Sequence, residues 1–167
     1  MAKAKYLIVD SREKSKAIKG ILAHFDRVGI PWEVHKLRAG DYMDYNHPEL
    51  IIDRKQNIAE LAKNCTTEHE RFRRELDRVK AVGAHLVILV EQNRYKDRDE
   101  WVPVAKISDL IRWSSPHTVV RGERVYRILV SWTAKYPLTV VFCDKRSTGK
   151  IIEQILYNGR FLPSEED

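Results

Sequence analysis

The hydrophobic positions fall into short runs and helical stripes that take turns along the chain. Tyr6-Leu7-Ile8-Val9 is an apolar run of the kind a strand covered on both faces gives, and the polar Asp10-Ser11-Arg12-Glu13 follows it. Ile18, Ile21, Leu22, Phe25 and Val28 then recur at helical spacing, with Gly29 and Pro31 as the stop. Trp32 to Leu37 alternates loosely, Gly40 permits a tight turn, and Asp41 to Tyr45 and Leu50 to Arg54 predict a hairpin joined by Asn46-His47-Pro48. A second helical region follows, interrupted near Asn64. Thr67 and Glu70 have capping-box spacing there, Phe72, Leu76 and Val79 form the apolar stripe, and Gly83 ends it. Leu86-Val87-Ile88-Leu89-Val90 predicts another buried strand. Gln92 to Glu100 is polar and charged and predicts a loop. Val104 to Trp113 suits a short helix broken by Ser114-Ser115-Pro116. Val125, Ile128, Leu129 and Trp132 mark a helix face, Leu138 to Phe142 a strand, and Ile151, Ile152, Ile155 and Leu156 the last helix.

Strands joined through helices tend to be parallel and a hairpin is antiparallel, so this order predicts a layered α/β domain with a mixed sheet. One domain over residues 1–163 and a frayed acidic tail over 164–167 are expected. Composition narrows the picture further. Two cysteines, Cys65 and Cys143, and no secretory leader exclude a disulfide scaffold and suggest an intracellular, reducing setting. No apolar run approaches the roughly 20 residues of a membrane span, so no membrane partner is expected. Thirty Lys and Arg against 24 Asp and Glu leave a net charge of +6, which favours an anionic partner.

Three acids sit where strands start or end: Asp10, Asp41 and Asp53. Lys55 lies two residues after Asp53, on the same strand face, with Arg54 opposite. Asp41, on the neighbouring strand of the hairpin, can reach that face. Two carboxylates and a lysine suit Mg²⁺ or Mn²⁺ chemistry on phosphates, because hard oxygen ligands hold the ion and an ammonium can orient water or stabilise developing charge. The plainer readings are a solvated strand for Asp-x-Lys and a turn residue for Asp41.

Several ordered motifs together are more specific than one. Val9-Asp10-Ser11-Arg12-Glu13, Gly40-Asp41-Tyr42, Ile52-Asp53-Arg54-Lys55, Arg71-Phe72-Arg73 and the strand Leu86 to Glu91 resemble the XPF-type structure-specific endonuclease family. The resemblance implies a restriction-endonuclease-like, three-layer α/β nuclease domain with a mixed central sheet flanked by helices. It implies metal-dependent DNA cleavage near flaps, forks or junctions, with Mg²⁺ or Mn²⁺ as cofactor. Asp41, Asp53 and the Arg54 backbone carbonyl would hold the metal, Lys55 would orient or activate water, and Asp10, Arg12 and Glu13 would border the site, with Asp10 or Glu13 reaching a metal or its waters. Three departures stand out. The family usually has Glu at the position of Asp53. Its acid after three residues beyond the Lys is met here by Glu60, after four. No tandem helix-hairpin-helix sequence follows, which leaves substrate selectivity open. The alternative is a non-catalytic DNA-binding or scaffold subunit of the same fold; a third is a nicking or fork factor of a virus or mobile element.

Arg71, Arg74 and Arg78 share a helix face and suit phosphate contacts, the plainer reading being intrahelical pairs such as Arg71–Glu75 and Arg74–Asp77. No zinc motif includes His69 or His117. Ser147-Thr148-Gly149-Lys150 lacks a phosphate loop's first Gly and following Ser/Thr, and suits a helix start better. Trp101, Trp113 and Trp132 could stack on bases, with Trp132 better placed for core or interface. The family's dimers, together with Tyr126, Val130 and Tyr157 lying off the apolar stripes, predict a homodimer surface.

Overall fold

A computed structural model describes residues 4–158; the expected tail at 164–167 and the domain end after 158 lie outside them. Its elements are β1 (Leu7–Asp10), α1 (Lys19–Val28), β2 (Trp32–His35), β3 (Tyr42–Asp44), β4 (His47–Lys55), α2 (Ile58–Cys65), α3 (His69–Ala81), β5 (His85–Val90), β6 (Arg94–Asp97), β7 (Glu100–Pro103), α4 (Gly122–Lys135), β8 (Leu138–Phe142) and α5 (Thr148–Asn158). A 3-10 turn occupies Ile107–Leu110. The main sheet has six strands in the order β2-β1-β3-β4-β5-β8. Only β3 runs against the others.

Alternation along the central strands sends side chains to two cores, giving the expected three layers. Leu7, Val9, Ile52, Val87 and Leu89 pack under α1 and α5, against Ile21, Phe25, Ile152 and Ile155. Ile51, Leu86, Ile88 and Val90 point the other way, under α2, α3 and α4, against Leu61, Phe72, Leu76, Leu129 and Trp132. Both faces of β5 are buried, which explains its unbroken apolar run. Gly29 ends α1 in the left-handed conformation, as its position predicts.

Four expectations change. Gln92 to Glu100 is not a loop: β6 and β7 pair as a hairpin, with Tyr95 buried beneath it and Lys96 opposite Trp101. The charged tip at 97–100 hid an alternation that completes itself only at Val102. The cluster Asn46-His47-Pro48 is not the hairpin turn, because β4 already starts at His47 and only Tyr45-Asn46 turn. The Thr67–Glu70 capping box does not form. Glu70 pairs with Arg73, and the working cap lies one helix earlier, where Asn57 Oδ1 accepts the Glu60 N–H at 2.8 Å and Glu60 Oε2 accepts the Gln56 N–H at 2.8 Å. Tyr157 has an internal partner, its hydroxyl donating to Asp44 Oδ2 at 2.5 Å, and Tyr126 is half-buried. Of the three residues expected to form an association patch, only Val130 is exposed.

Candidate active site

Because β1, β4, β5 and β8 run the same way, their carboxyl ends gather at one edge of the sheet. Asp10, Lys55 and Glu91 lie there, and β3 begins there with Asp41 beside it. A cleft of about 380 Å³ opens at this edge. It is lined by Asp10, Arg12 and Glu13 from the end of β1, by Asp41 from the turn, and by Asp53, Arg54 and Lys55 from β4. Arg71 of α3 closes one side, whereas Arg74 and Arg78 do not line it. The latter two are exposed further along the helix, and Arg78 borders a groove with Lys36 and Arg38.

Gly40 sets the geometry of the acids. Its φ is +69°, and a Cβ would come within 2.3 Å of Ile51 Cγ2 and 2.9 Å of the Ile52 carbonyl oxygen, so a side chain has no room. The turn is pinned from three directions. The Gly40 N–H donates to Glu75 Oε1 at 3.0 Å, the Asp41 N–H to the Ile52 carbonyl at 2.7 Å, and the Arg54 N–H to Asp41 Oδ2 at 2.7 Å. A strand residue's N–H and carbonyl point to the same side, so the Arg54 carbonyl also faces Asp41.

On the α2–α3 face of β4, Lys55 Nζ lies 3.0 Å from Asp53 Oδ2 and 5.7 Å from the Phe72 ring centre. The ammonium meets the carboxylate off the hydrogen-bonding direction, and Asp53 Oδ2 is a buried oxygen without a hydrogen-bond partner among the described residues. Burial first, then the neighbouring Asp53, then Glu13 hold the Asp41 carboxyl well above the usual carboxylate range, against the pull of the Arg54 N–H. Burial and then Asp53 likewise raise Glu75. Burial alone would lower Lys55, but Asp53, with Asp41 and Glu60 behind it, outweighs it and the ammonium sits above its ordinary value. Carboxylates crowded in this way keep a proton unless a cation replaces it. The orphaned Asp53 oxygen and the hard donors around it fit a Mg²⁺- or Mn²⁺-sized ion. Among the described residues no three His, Cys, Asp or Glu side chains converge to enclose a metal, so the donor set is an open one.

The opposite face of β4 is built differently. The Arg54 guanidinium is buried between two acids, with Nη2 donating to Glu13 Oε2 at 2.7 Å and Nη1 to Glu91. Glu91 also accepts the Thr148 hydroxyl at 2.6 Å. Asp10 is nearly saturated: Oδ2 accepts Arg12 Nε at 2.7 Å and Oδ1 the Leu37 N–H at 2.8 Å. Asp10 and Glu13 thus line the cleft with carboxylates already committed to Arg12, the Leu37 N–H and Arg54, rather than free to reach a metal or its waters.

Three cleft or near-cleft residues escaped sequence reasoning. Glu75 reads there as an ion-pair partner of Arg71, yet Arg71 pairs with Glu68 and Glu75 is left to hold Gly40. Asn64, buried at the break between α2 and α3, borders the cleft with an unpartnered Oδ1. Glu91 closes an apolar strand just as Asp10 closes β1, and that repeated signal could have marked it. Trp113 and Trp132 are core residues; Trp132 stacks on Phe72 with ring centres 5.4 Å apart. Thr148 opens α5, as expected for the non-phosphate-loop reading.

Comparison with solved structures agrees with this architecture. XPF from Aeropyrum pernix superposes with a TM-score of 0.64 at 18% identity, covering 92% of this chain and 64% of that one. XPF from Aeropyrum pernix in complex with DNA gives 0.65 at 18% identity, covering 98% and 70%. This chain thus spans a little under two-thirds of the first of these. At such identity the likeness establishes the fold. No match was found among curated proteins. The sequence itself fits the ERCC4 domain family model over residues 9–155, from the end of β1 into α5 and through every motif that lines the cleft. The chain therefore belongs to the ERCC4 domain family.

Proposed function

We propose that this chain is a Mg²⁺- or Mn²⁺-dependent DNA endonuclease acting near branches such as flaps, forks or junctions. The observation that carries it is the Asp41–Asp53 pair: a half-buried and a buried carboxyl face one cleft beside the Lys55 ammonium, crowded enough that Asp41 is held above the usual carboxylate range. Asp41, Asp53 and the Arg54 carbonyl would hold the ion, which supplies Lewis-acid polarisation of a phosphoryl oxygen and a lowered pKa for water. Lys55, fixed between Asp53 and Phe72, orients the attacking water and stabilises charge growing on the phosphate. Arg71 at the cleft, followed by Arg74 and Arg78 along α3, contacts the DNA backbone. Glu75 and Asp10 keep the Gly40 turn and the Arg12–Leu37 segment in place. Action on DNA implies an intracellular site, and the family's two-fold assemblies favour a homodimer able to brace two DNA arms.

The reading as a non-catalytic DNA-binding or scaffold subunit draws on one observation, the lack of a third converging acid among the described residues. One assay separates the two. Labelled flap, fork, four-way and linear duplexes are incubated with Mg²⁺ or Mn²⁺ and wild-type protein or Asp41→Asn. The endonuclease cuts branched DNA, and the variant and chelator both stop it. DNA binding without cleavage by the wild type would move the assignment to the scaffold reading, and cleavage unchanged in Asp41→Asn would overturn the role given to Asp41.

A further inference from the structure

The β6–β7 hairpin is set apart from the main sheet and sorts its side chains by face. Tyr95 and Val102 point inward, Tyr95 donating its hydroxyl to the Asp109 carbonyl at 2.7 Å. Asp97 and Glu100, on that same inward-facing set, are met by Arg112, at 2.7 Å and 3.9 Å. Arg112 thus pairs closely with Asp97 and only loosely with the exposed Glu100. The outward face carries Arg94, Lys96 and Trp101 and no acid. The guanidinium of Arg94 lies 4.3 Å from the Trp101 ring centre and Lys96 Nζ 5.2 Å from it, yet Trp101 remains 54% exposed. The tip, Arg98-Asp99, carries one charge of each sign and adds no net charge.

The root of this hairpin belongs to the candidate site. The Glu91 N–H donates to the Lys55 carbonyl at 2.8 Å, and the Ile58 N–H to Gln92 Oε1 at 2.9 Å. Trp101 stands only two residues along from the root pair Arg94–Pro103, about 7 Å at the rise of a strand. The hairpin is thus anchored next to the strand and helix that carry Lys55 and Ile58. An exposed indole flanked by cations recognises one chemistry well: a base to stack on the ring and phosphates for the cations, without choice of sequence.

We propose that the outward face of the β6–β7 hairpin is a subsite for single-stranded DNA, Trp101 stacking on a base while Arg94 and Lys96 contact the adjoining phosphates. This deepens the nuclease reading by naming which part of a branched substrate the chain grips, and it rests on that reading only for the position of the strand. A purely structural cation–π pair would look alike at rest and is separated by binding. Affinity for a short oligothymidylate and for a blunt duplex is measured by fluorescence anisotropy in chelator, where no cleavage occurs. Trp101→Leu, which keeps the apolar bulk but not the ring, weakens oligothymidylate binding on the order of tenfold and leaves the duplex unchanged, whereas Trp101→Phe binds as wild type. The double variant Arg94→Ser/Lys96→Ser, which leaves the ring, lowers the salt slope for oligothymidylate by about 1.4, and it decides the matter if Trp101→Leu does not fold. Wild-type oligothymidylate binding by folded Trp101→Leu, equal losses on single strand and duplex, or an unchanged salt slope in the double variant overturns the proposal. Failure of the nuclease reading shows elsewhere, as absent cleavage in metal, and leaves this readout intact.

Discussion

Neighbouring residues of β4 meet opposite electrostatic surroundings. Arg54 points under α1 and α5 into a closed network, where Glu13 and Glu91 bracket its guanidinium and Thr148 takes up a remaining acceptor. Asp53 and Lys55 point under α2 and α3 into a cleft where Asp41 and Asp53 crowd each other and one buried oxygen goes unpartnered. Both groups are buried and both are acidic, and burial alone does not tell them apart. The difference is satisfaction. The first set uses its charges up internally and so serves the fold. The second crowds Asp41 and Asp53 against one ammonium, so a cation brought from outside would relieve it.

The largest expected effect separates the two faces outright. Arg54→Met strands Glu13 and Glu91 without their partner and costs about 3–5 kcal/mol, read as a fall in the urea midpoint. Asp41→Asn keeps an oxygen for the Arg54 N–H and cannot ionise beside Asp53, so the fold keeps or gains stability while cleavage falls by two to three orders of magnitude, on the order of what a lost transition-state electrostatic contact costs. Destabilisation by Asp41→Asn equal to that by Arg54→Met would erase the contrast.

Added cations sharpen it next. Mg²⁺ or Mn²⁺ in excess over its dissociation constant should raise the melting temperature of the wild type, worth about 2.7 kcal/mol at a hundredfold excess, and should not raise that of Asp41→Asn. A shift that survives Asp41→Asn places the ion elsewhere. Lys55→Ala should lower kcat with little change in DNA affinity, whereas Arg74→Ala should weaken binding and reduce the salt slope on duplex by about 0.9. Asp53→Glu tests the family's usual residue in this cleft: activity is expected to hold or rise in the same cleavage assay.

The smallest effect lies away from both groups. His85, at the start of β5 with Nε2 2.7 Å from Thr139 Oγ1, is lowered by burial from its ordinary 6.5. Its folded form binds fewer protons than the unfolded chain, so its contribution is full at neutral pH and is lost as pH falls below the unfolded pKa. His85→Gln should flatten the melting temperature between neutral pH and pH 5 without touching cleavage.

Much of the candidate site was readable because its residues sit at strand ends in short motifs. Asp10 after an apolar run, Gly40-Asp41, and Asp53 with Lys55 at a strand's period of two each carry a local signal, and all of them line one cleft. Glu75, Asn64 and Glu91 were harder to see because their partners are far away in sequence. Glu75 meets Gly40 across 35 positions, and Glu91 meets Arg54 across 37. The hairpin β6–β7 escaped because its alternation is split by a charged turn, and the Thr67–Glu70 box failed because a spacing does not fix where a helix starts.

The sequence by itself determined a layered α/β domain with a mixed sheet, the order of most elements and the face on which each β4 side chain lies, because periodicity and backbone alternation are local and the apolar stripes leave few ways to bury them. Tertiary structure alone decided which buried charges are paired. Asp10 and Asp53 look equivalent as acids at the ends of strands, yet the first receives hydrogen bonds from Arg12 and the Leu37 N–H and the second has an oxygen that meets only the Lys55 ammonium, with no hydrogen-bond donor among the described residues. That outcome depends on which distant donors the folded chain brings within hydrogen-bonding reach, and no local pattern encodes a distance between residues that meet only after folding.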